Sequence, residues 1–192
     1  MNRTVPVPAY RSIVDSGGGG LSISIPSRRN YLIVAFLLIW LGGWFMGEFT
    51  SVNKLLAGKT HDQAGFIGPW LIVWTAGGAF ALLTLLWNLA GRERVLFSRS
   101  EVTLRREIFG VGFGKRYEAG HVKNLRSIEI PAGPFGTSRS DPFGWGGGAL
   151  AFDYGAKTVR FGNGIDSAEA NHLVEKITAA SPWLRRSIDS SS

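Results

Sequence analysis

The chain has 192 residues, no cysteine and a formal net charge of +7. That length allows one modest core; the missing cysteine removes structural disulfides, thiolate nucleophiles and cysteine-based zinc or iron-sulfur sites. The charge divides as +3 before the first apolar stretch, zero from Glu48 through the following connection, and +4 beyond the second stretch. Basic residues that flank apolar stretches orient membrane segments, so the charge is accounted for without nucleic acid as a partner.

Residues 1–30 are rich in Gly, Ser and Pro and contain a GGGG run at 17–20. They offer too little apolar surface to fold alone and are predicted to be a disordered cytoplasmic segment ending in Arg28 and Arg29. Residues 31–49, YLIVAFLLIWLGGWFMGEF, carry no charge before Glu48, enough for a helix of roughly 27 Å that just crosses the hydrocarbon. A signal peptide is disfavoured, because 30 residues precede the stretch and no small-x-small cleavage site closes it. Glu48 falls at the outer end of this span, where its carboxylate reaches headgroups or water.

The connection over 50–65 contains only Lys54, Lys59 and Asp62 as charges. Residues 66–89, FIGPWLIVWTAGGAFALLTLLWNL, form a second uncharged stretch, with Pro69 fitting its first turn. Arginines on both outer flanks, Arg28 and Arg29 before and Arg92, Arg94 and Arg99 after, predict a hairpin with its loop outside and both termini in the cytoplasm. Trp40 and Trp44 late in the first span and Trp70 and Trp74 early in the second match the aromatic belt of one interface, while Tyr31 and Trp87 mark the other. Gly43 with Gly47, and Gly77 with Ala81, form small-xxx-small pairs that predict close packing of the two spans or contact with a partner helix.

Beyond Gly91 the hydrophobic period changes to two. Val102, Leu104, Arg106 and Ile108 alternate with Thr103, Arg105 and Glu107, the pattern of a strand. Short strands are predicted over 94–99, 101–108, 112–119, 122–130, 149–154 and 158–161, separated by turn signals close enough for antiparallel meanders. One amphipathic helix follows over 167–180, with Ala170, Leu173, Val174 and Ile177 on one face and Asp166 with Glu169 at its start resembling a capping box. Pro182 discourages its continuation, and 183–192 is predicted to be a tail.

This layout, with the stretch RERVLFSRSEVTLRREIFGVGFGKRYEAGHVKNLRSIEI over 92–130, resembles the bacterial pleckstrin-homology-like (PH-like) domains of small two-span membrane proteins. The resemblance implies an α+β domain over 91–182, an antiparallel sandwich or open barrel capped by the C-terminal helix. It also implies the inner membrane of a bacterium and roles in binding or oligomer formation; fold likeness alone assigns no function.

Residues 131–148, PAGPFGTSRSDPFGWGGG, form a long loop, and Phe135, Phe143 and Trp145 within it are candidates for contact with a partner, the domain or the bilayer. Arg28, Arg29, Arg92, Arg94, Arg99, Arg105 and Arg106 are candidates for anionic headgroups, or for pairing with Glu93, Glu101 and Glu107. His61, His121 and His172 cannot form one metal site if the predicted hairpin separates His61 from the others, and His172 reads as solvated helix surface. Asp141 and Asp153 are the acids nearest the glycine-rich run and the candidates for acid–base chemistry, and GWGGGA at 144–149 lacks the Lys-Ser/Thr pair of a phosphate-binding loop. The expectation is therefore a non-enzymatic membrane-tethered module without cofactor or metal, whose partner is another membrane protein or itself. Anionic lipid binding is the alternative, and a membrane-bound hydrolase the remote one.

Overall fold

Leu21, Ile23 and Ile25 alternate with Ser22 and Ser24, and the three apolar side chains are buried to 4%, 0% and 0% exposure. The computed structural model describes residues 10–17, 20–58, 64–129, 147–181 and 183–184, and in it this segment is an interior strand. Residues 1–28 and 90–192 form one compact unit and residues 29–89 another. The β unit is therefore discontinuous in sequence, with the helical hairpin inserted into it.

In the β unit, β1 (Ile13–Gly17), β2 (Gly20–Pro26), β3 (Gly91–Ser98), β4 (Glu101–Ile108) and β5 (Val111–Glu118) form a five-stranded sheet in that order. Every pair is antiparallel. A 3-10 turn over Ala119–His121 leads into β6 (Val122–Ser127), which pairs with β7 (Leu150–Tyr154) and that with β8 (Lys157–Phe161) in a three-stranded antiparallel sheet. The helix α3 (Ser167–Ala180) packs on β6. Asp166 caps it by accepting from the Glu169 amide at 2.8 Å, and Ala170, Leu173 and Ile177 face inward as their spacing requires. Both sheets and α3 share one core, in which Ile23, Val95, Phe97, Val102, Phe152, Phe161 and Leu173 are buried.

The expected disorder of 1–30 is thus corrected for the described residues. Gly- and Ser-rich composition hides a period-two pattern whose partner strand, β3, comes only after the helices, and burying Leu21, Ile23 and Ile25 there offsets the cost of ordering the segment. The segment is fastened at its start as well. The Ser12 amide donates to Glu169 Oε1 at 2.7 Å, and Tyr10 stacks on His172 at 4.5 Å. His172 therefore packs against an aromatic ring instead of lying on a solvated face. The tail is corrected at its first two residues: Trp183 and Leu184 pack into the core, and the Leu184 amide donates to Ser181 at 3.0 Å.

The second unit is the hairpin of α1 (Tyr31–Leu56) and α2 (Ala64–Ala90), both long and apolar enough to cross a membrane. Only 11% of the most apolar stretch of α1 and 28% of that of α2 is buried, opposite to the core helix of a soluble protein. Asn30 starts α1, its side chain accepting from the Leu32 and Ile33 amides at 3.1 and 3.2 Å. Both helices run beyond the expected spans of 31–49 and 66–89, narrowing the predicted loop 50–65. Nothing between Phe49 and Ala57 breaks the helix until Gly58, at φ 65°, ends it with its amide on the Leu55 carbonyl at 3.1 Å. Pro69 accordingly sits inside α2 and not in its first turn.

Trp74 is the hub of the hairpin contacts. It stacks on Trp70 at 4.9 Å, meets Trp40 at 6.3 Å, and its carbonyl accepts from Trp44 Nε1 at 3.1 Å. The Thr75 hydroxyl donates to Glu48 Oε1 at 2.6 Å, a second bond between the helices. Of the predicted packing residues, Ala81 is buried against Leu37 and Leu85, and Gly47 lies beside Trp74. Gly43 and Gly77 make no such approach within the hairpin: a Cβ at either would meet nothing within 4 Å. The close approach is instead at Gly78, where a Cβ would run into the Trp44 indole. The small-xxx-small spacing did not single out Gly78; a bulky tryptophan on the other helix decides which small residue lies under it.

Candidate functional site

On the outer face of the three-stranded sheet lies an open concavity of about 530 Å³, lined by residues that include His121, Lys123, Asn124, Arg126, Asp153 and Lys157. Along one wall of it the register of β6 on β7 shifts between Lys123 and Arg126, a bulge in which Asn124 takes φ 52°. Asn is among the few non-glycine residues that tolerate this region, and the irregularity turns its side chain and that of Arg126 toward Asp153.

Asp153 is the organising group. Arg126 donates to both carboxylate oxygens, Nη1 to Oδ2 at 2.9 Å and Nη2 to Oδ1 at 3.0 Å. Thr158 Oγ1 donates to Oδ1 at 2.9 Å and Asn124 Nδ2 to Oδ2 at 3.1 Å. The Arg126 fork first, then Thr158 and Asn124, hold the carboxyl well below its ordinary range, at about 2. Arg126 also donates to the Asn124 carbonyl at 3.0 Å, tying the bulge to the fork.

This arrangement suits binding more than proton transfer. A carboxylate held ionised by four hydrogen bonds is a poor general base at neutral pH. Its expected companion, Asp141, lies outside the described residues, as do Phe135, Phe143 and Trp145 of the 131–148 loop and His61. Because Arg126 and Asp153 neutralise one another, the charge left on the concavity is that of Lys123 and Lys157, both exposed. Among the described residues no three metal-ligating side chains gather. Bulge and fork were invisible to sequence reasoning; Asn124, a residue suited to positive φ inside a strand pattern, is the available signal.

The arginines expected to act as one basic face are divided. Arg94 Nε approaches Glu107 Oε1 at 2.7 Å and Arg105 Nε approaches its Oε2 at 3.7 Å, on the outer face of the five-stranded sheet. The Arg94 contact is an ion pair without the alignment of a hydrogen bond, so Glu107 Oε1 has no hydrogen-bond partner. Arg106 points to the other face, where its Nε donates to buried Glu93 at 3.3 Å. Arg99 stands at the far end of β3 from Arg92, roughly 23 Å along the strand. Arg28, Arg29 and Arg92 remain exposed beside the junctions between strands and helices.

No family model, curated protein or solved structure matches the chain.

Proposed function

We propose that this protein is a membrane-anchored, non-catalytic docking module whose β domain, PH-like in layout, binds another membrane protein or a second copy of itself at the inner leaflet of a bacterial plasma membrane. One observation carries this reading. The helical hairpin interrupts a sheet between two adjacent strands, with only 27–30 separating β2 from α1 and no residue separating α2 from β3. A sheet that includes both β2 and β3 needs both ends of the hairpin on one side of the bilayer. Such short junctions keep the domain at the surface, where a membrane-bound partner is met at high effective concentration. Exposed Arg28, Arg29 and Arg92 beside the junctions favour the cytoplasmic side.

The docking surface assigned here is the concavity of Lys123, Asn124 and Lys157, a basic site held open by the Arg126–Asp153 fork. The test is photo-crosslinking from positions 123 and 157 of the full chain in native membranes, with mass analysis of the detergent-solubilised protein. A stoichiometric adduct, to a second copy or to one membrane protein, is expected, and Lys123→Glu with Lys157→Glu removes it. A chain that stays at its monomer mass of 20.8 kDa under both treatments refutes docking. Anionic headgroup binding is the second reading, favoured by the same exposed Arg28, Arg29 and Arg92; it predicts lipid co-purification that salt weakens.

A further inference from the structure

The β4–β5 hairpin ends in an apolar tip that the docking site does not use. Phe109, Val111 and Phe113 are 75%, 79% and 94% exposed, values at which a soluble domain would carry polar residues. The two-residue turn has Phe109 at φ 52° and Gly110 at φ 84°. Asn, Asp or Gly relaxes the first of these positions, and a bulky aromatic there is strained. The strained backbone thus places the Phe109 ring at the exposed apex of the hairpin.

Register fixes where this tip stands within the sheet. Ile108, next to the turn, pairs with Gly91, and Arg92 pairs with Pro26. Gly91 follows directly on the last residue of α2, and four residues separate Pro26 from α1. The apolar tip and both chain junctions with the helices thus share one end of the five-stranded sheet. The flanks are net basic: Arg92, Arg94 and Arg105 lie on one face, where Glu107 pairs with Arg94 and Arg105, Lys115 and Arg116 follow on β5, and Arg105 Nη2 donates to the Gly110 carbonyl at 3.4 Å. Opposite Glu107 and Arg105, β5 carries Gly112 and Gly114, so no side chain widens the tip there.

We infer that the Phe109–Gly110 hairpin tip is a membrane wedge, its aromatic rings seated in the headgroup and upper acyl region of the leaflet from which α2 emerges, with the flanking arginines on anionic headgroups. The inference rests on α1 and α2 being membrane spans, not on docking at the concavity. Lipid is the occupant because both junctions tether this end to the proposed spans, and because aromatic residues beside cations are the composition of an interfacial anchor.

The absence of native cysteine makes single-site labelling direct. Full-length Phe109→Cys and Phe113→Cys are labelled with bimane in vesicles of phosphatidylethanolamine and phosphatidylglycerol containing nitroxide lipid. Ser100→Cys, in the turn at the other end of the sheet, and Ile39→Cys, exposed on α1, serve as references. Quenching by lipid nitroxide is expected to be several-fold stronger at 109 and 113 than at 100, with iodide quenching weaker. Strong quenching at 39 with 109 and 113 equal to 100 overturns the wedge and leaves the spans intact. Labels at 109 and 113 shielded from both quenchers also overturn it, showing that protein covers the tip. A label at 39 that lipid nitroxide does not reach removes the spans and the wedge together.

Discussion

Ser27 donates its backbone N–H to the carbonyl oxygen of Gly91 at 2.9 Å, closing β2 onto β3 although the entire helical hairpin lies between them in sequence. The contact makes the hairpin an insertion into a folded sheet, not a leader in front of one. Folding of the β unit and placement of the hairpin are consequently linked, since neither strand completes the core without the other.

The first prediction follows from that linkage. Ile23 is fully buried in the interior strand β2, so Ile23→Ala is expected to destabilise the β unit by about 3 kcal/mol through lost transfer energy and an unfilled cavity. Thermal unfolding of the detergent-solubilised protein reads this directly. Unchanged stability would show that residues 20–26 contribute nothing to the core.

Within the hairpin, Gly78 and Gly43 are predicted to behave oppositely. Gly78→Ile drives a side chain into the Trp44 indole, whose Nε1 is bonded to the Trp74 carbonyl at 3.1 Å, and should cost about 2 kcal/mol of helix–helix stability. Gly43→Ile meets open space and should cost little, since isoleucine is also the better helix former of the two. Denaturation of the two variants in detergent distinguishes them; equal effects would dismiss Trp44 as the packing element.

The apolar stretches, the period-two pattern of β4 and the Asp166-capped α3 were legible because each is a local property of consecutive residues. Strands β1 and β2 were not, since the burial of β2 depends on pairing with β3 across the hairpin, and glycine and serine dilute the local signal. Gly78 escaped notice for a related reason: which small residue matters is settled by a tryptophan on the other helix. The arginine cluster looked continuous in sequence, yet strand alternation sends Arg105 and Arg106 to opposite faces, and strand length carries Arg99 far from Arg92.

Glu93 provides a third prediction. Its buried carboxylate accepts from the Gly162 amide at 2.7 Å, the Asn163 amide at 3.2 Å and Arg106 Nε at 3.3 Å, joining β3 and β4 to the turn after β8. Glu93→Ala removes the shared acceptor and should destabilise the protein by about 3 kcal/mol. Glu93→Gln, which keeps one carbonyl acceptor, should lose less. A Gln variant as unstable as the Ala variant would point to the negative charge itself as the stabilising element.

Asp153 gives a prediction with a pH signature. Its carboxyl is held at about 2, below the ordinary 3.8, by Arg126, Thr158 and Asn124. A lowered folded-state value means that the stabilisation is complete above the unfolded value, near pH 4, and is lost as pH falls toward 2. The side chain is 27% exposed, and solvent screening brings the expected contribution to about 1 kcal/mol at neutral pH. Asp153→Asn should therefore be less stable than wild type at pH 7, with the difference shrinking as both are acidified. The same substitution loosens the fork that holds the bulge, so the crosslinks from positions 123 and 157 should weaken with it. A stability gap independent of pH would mean that the ionised carboxylate is not what holds Arg126, and that the concavity owes its shape to the backbone alone.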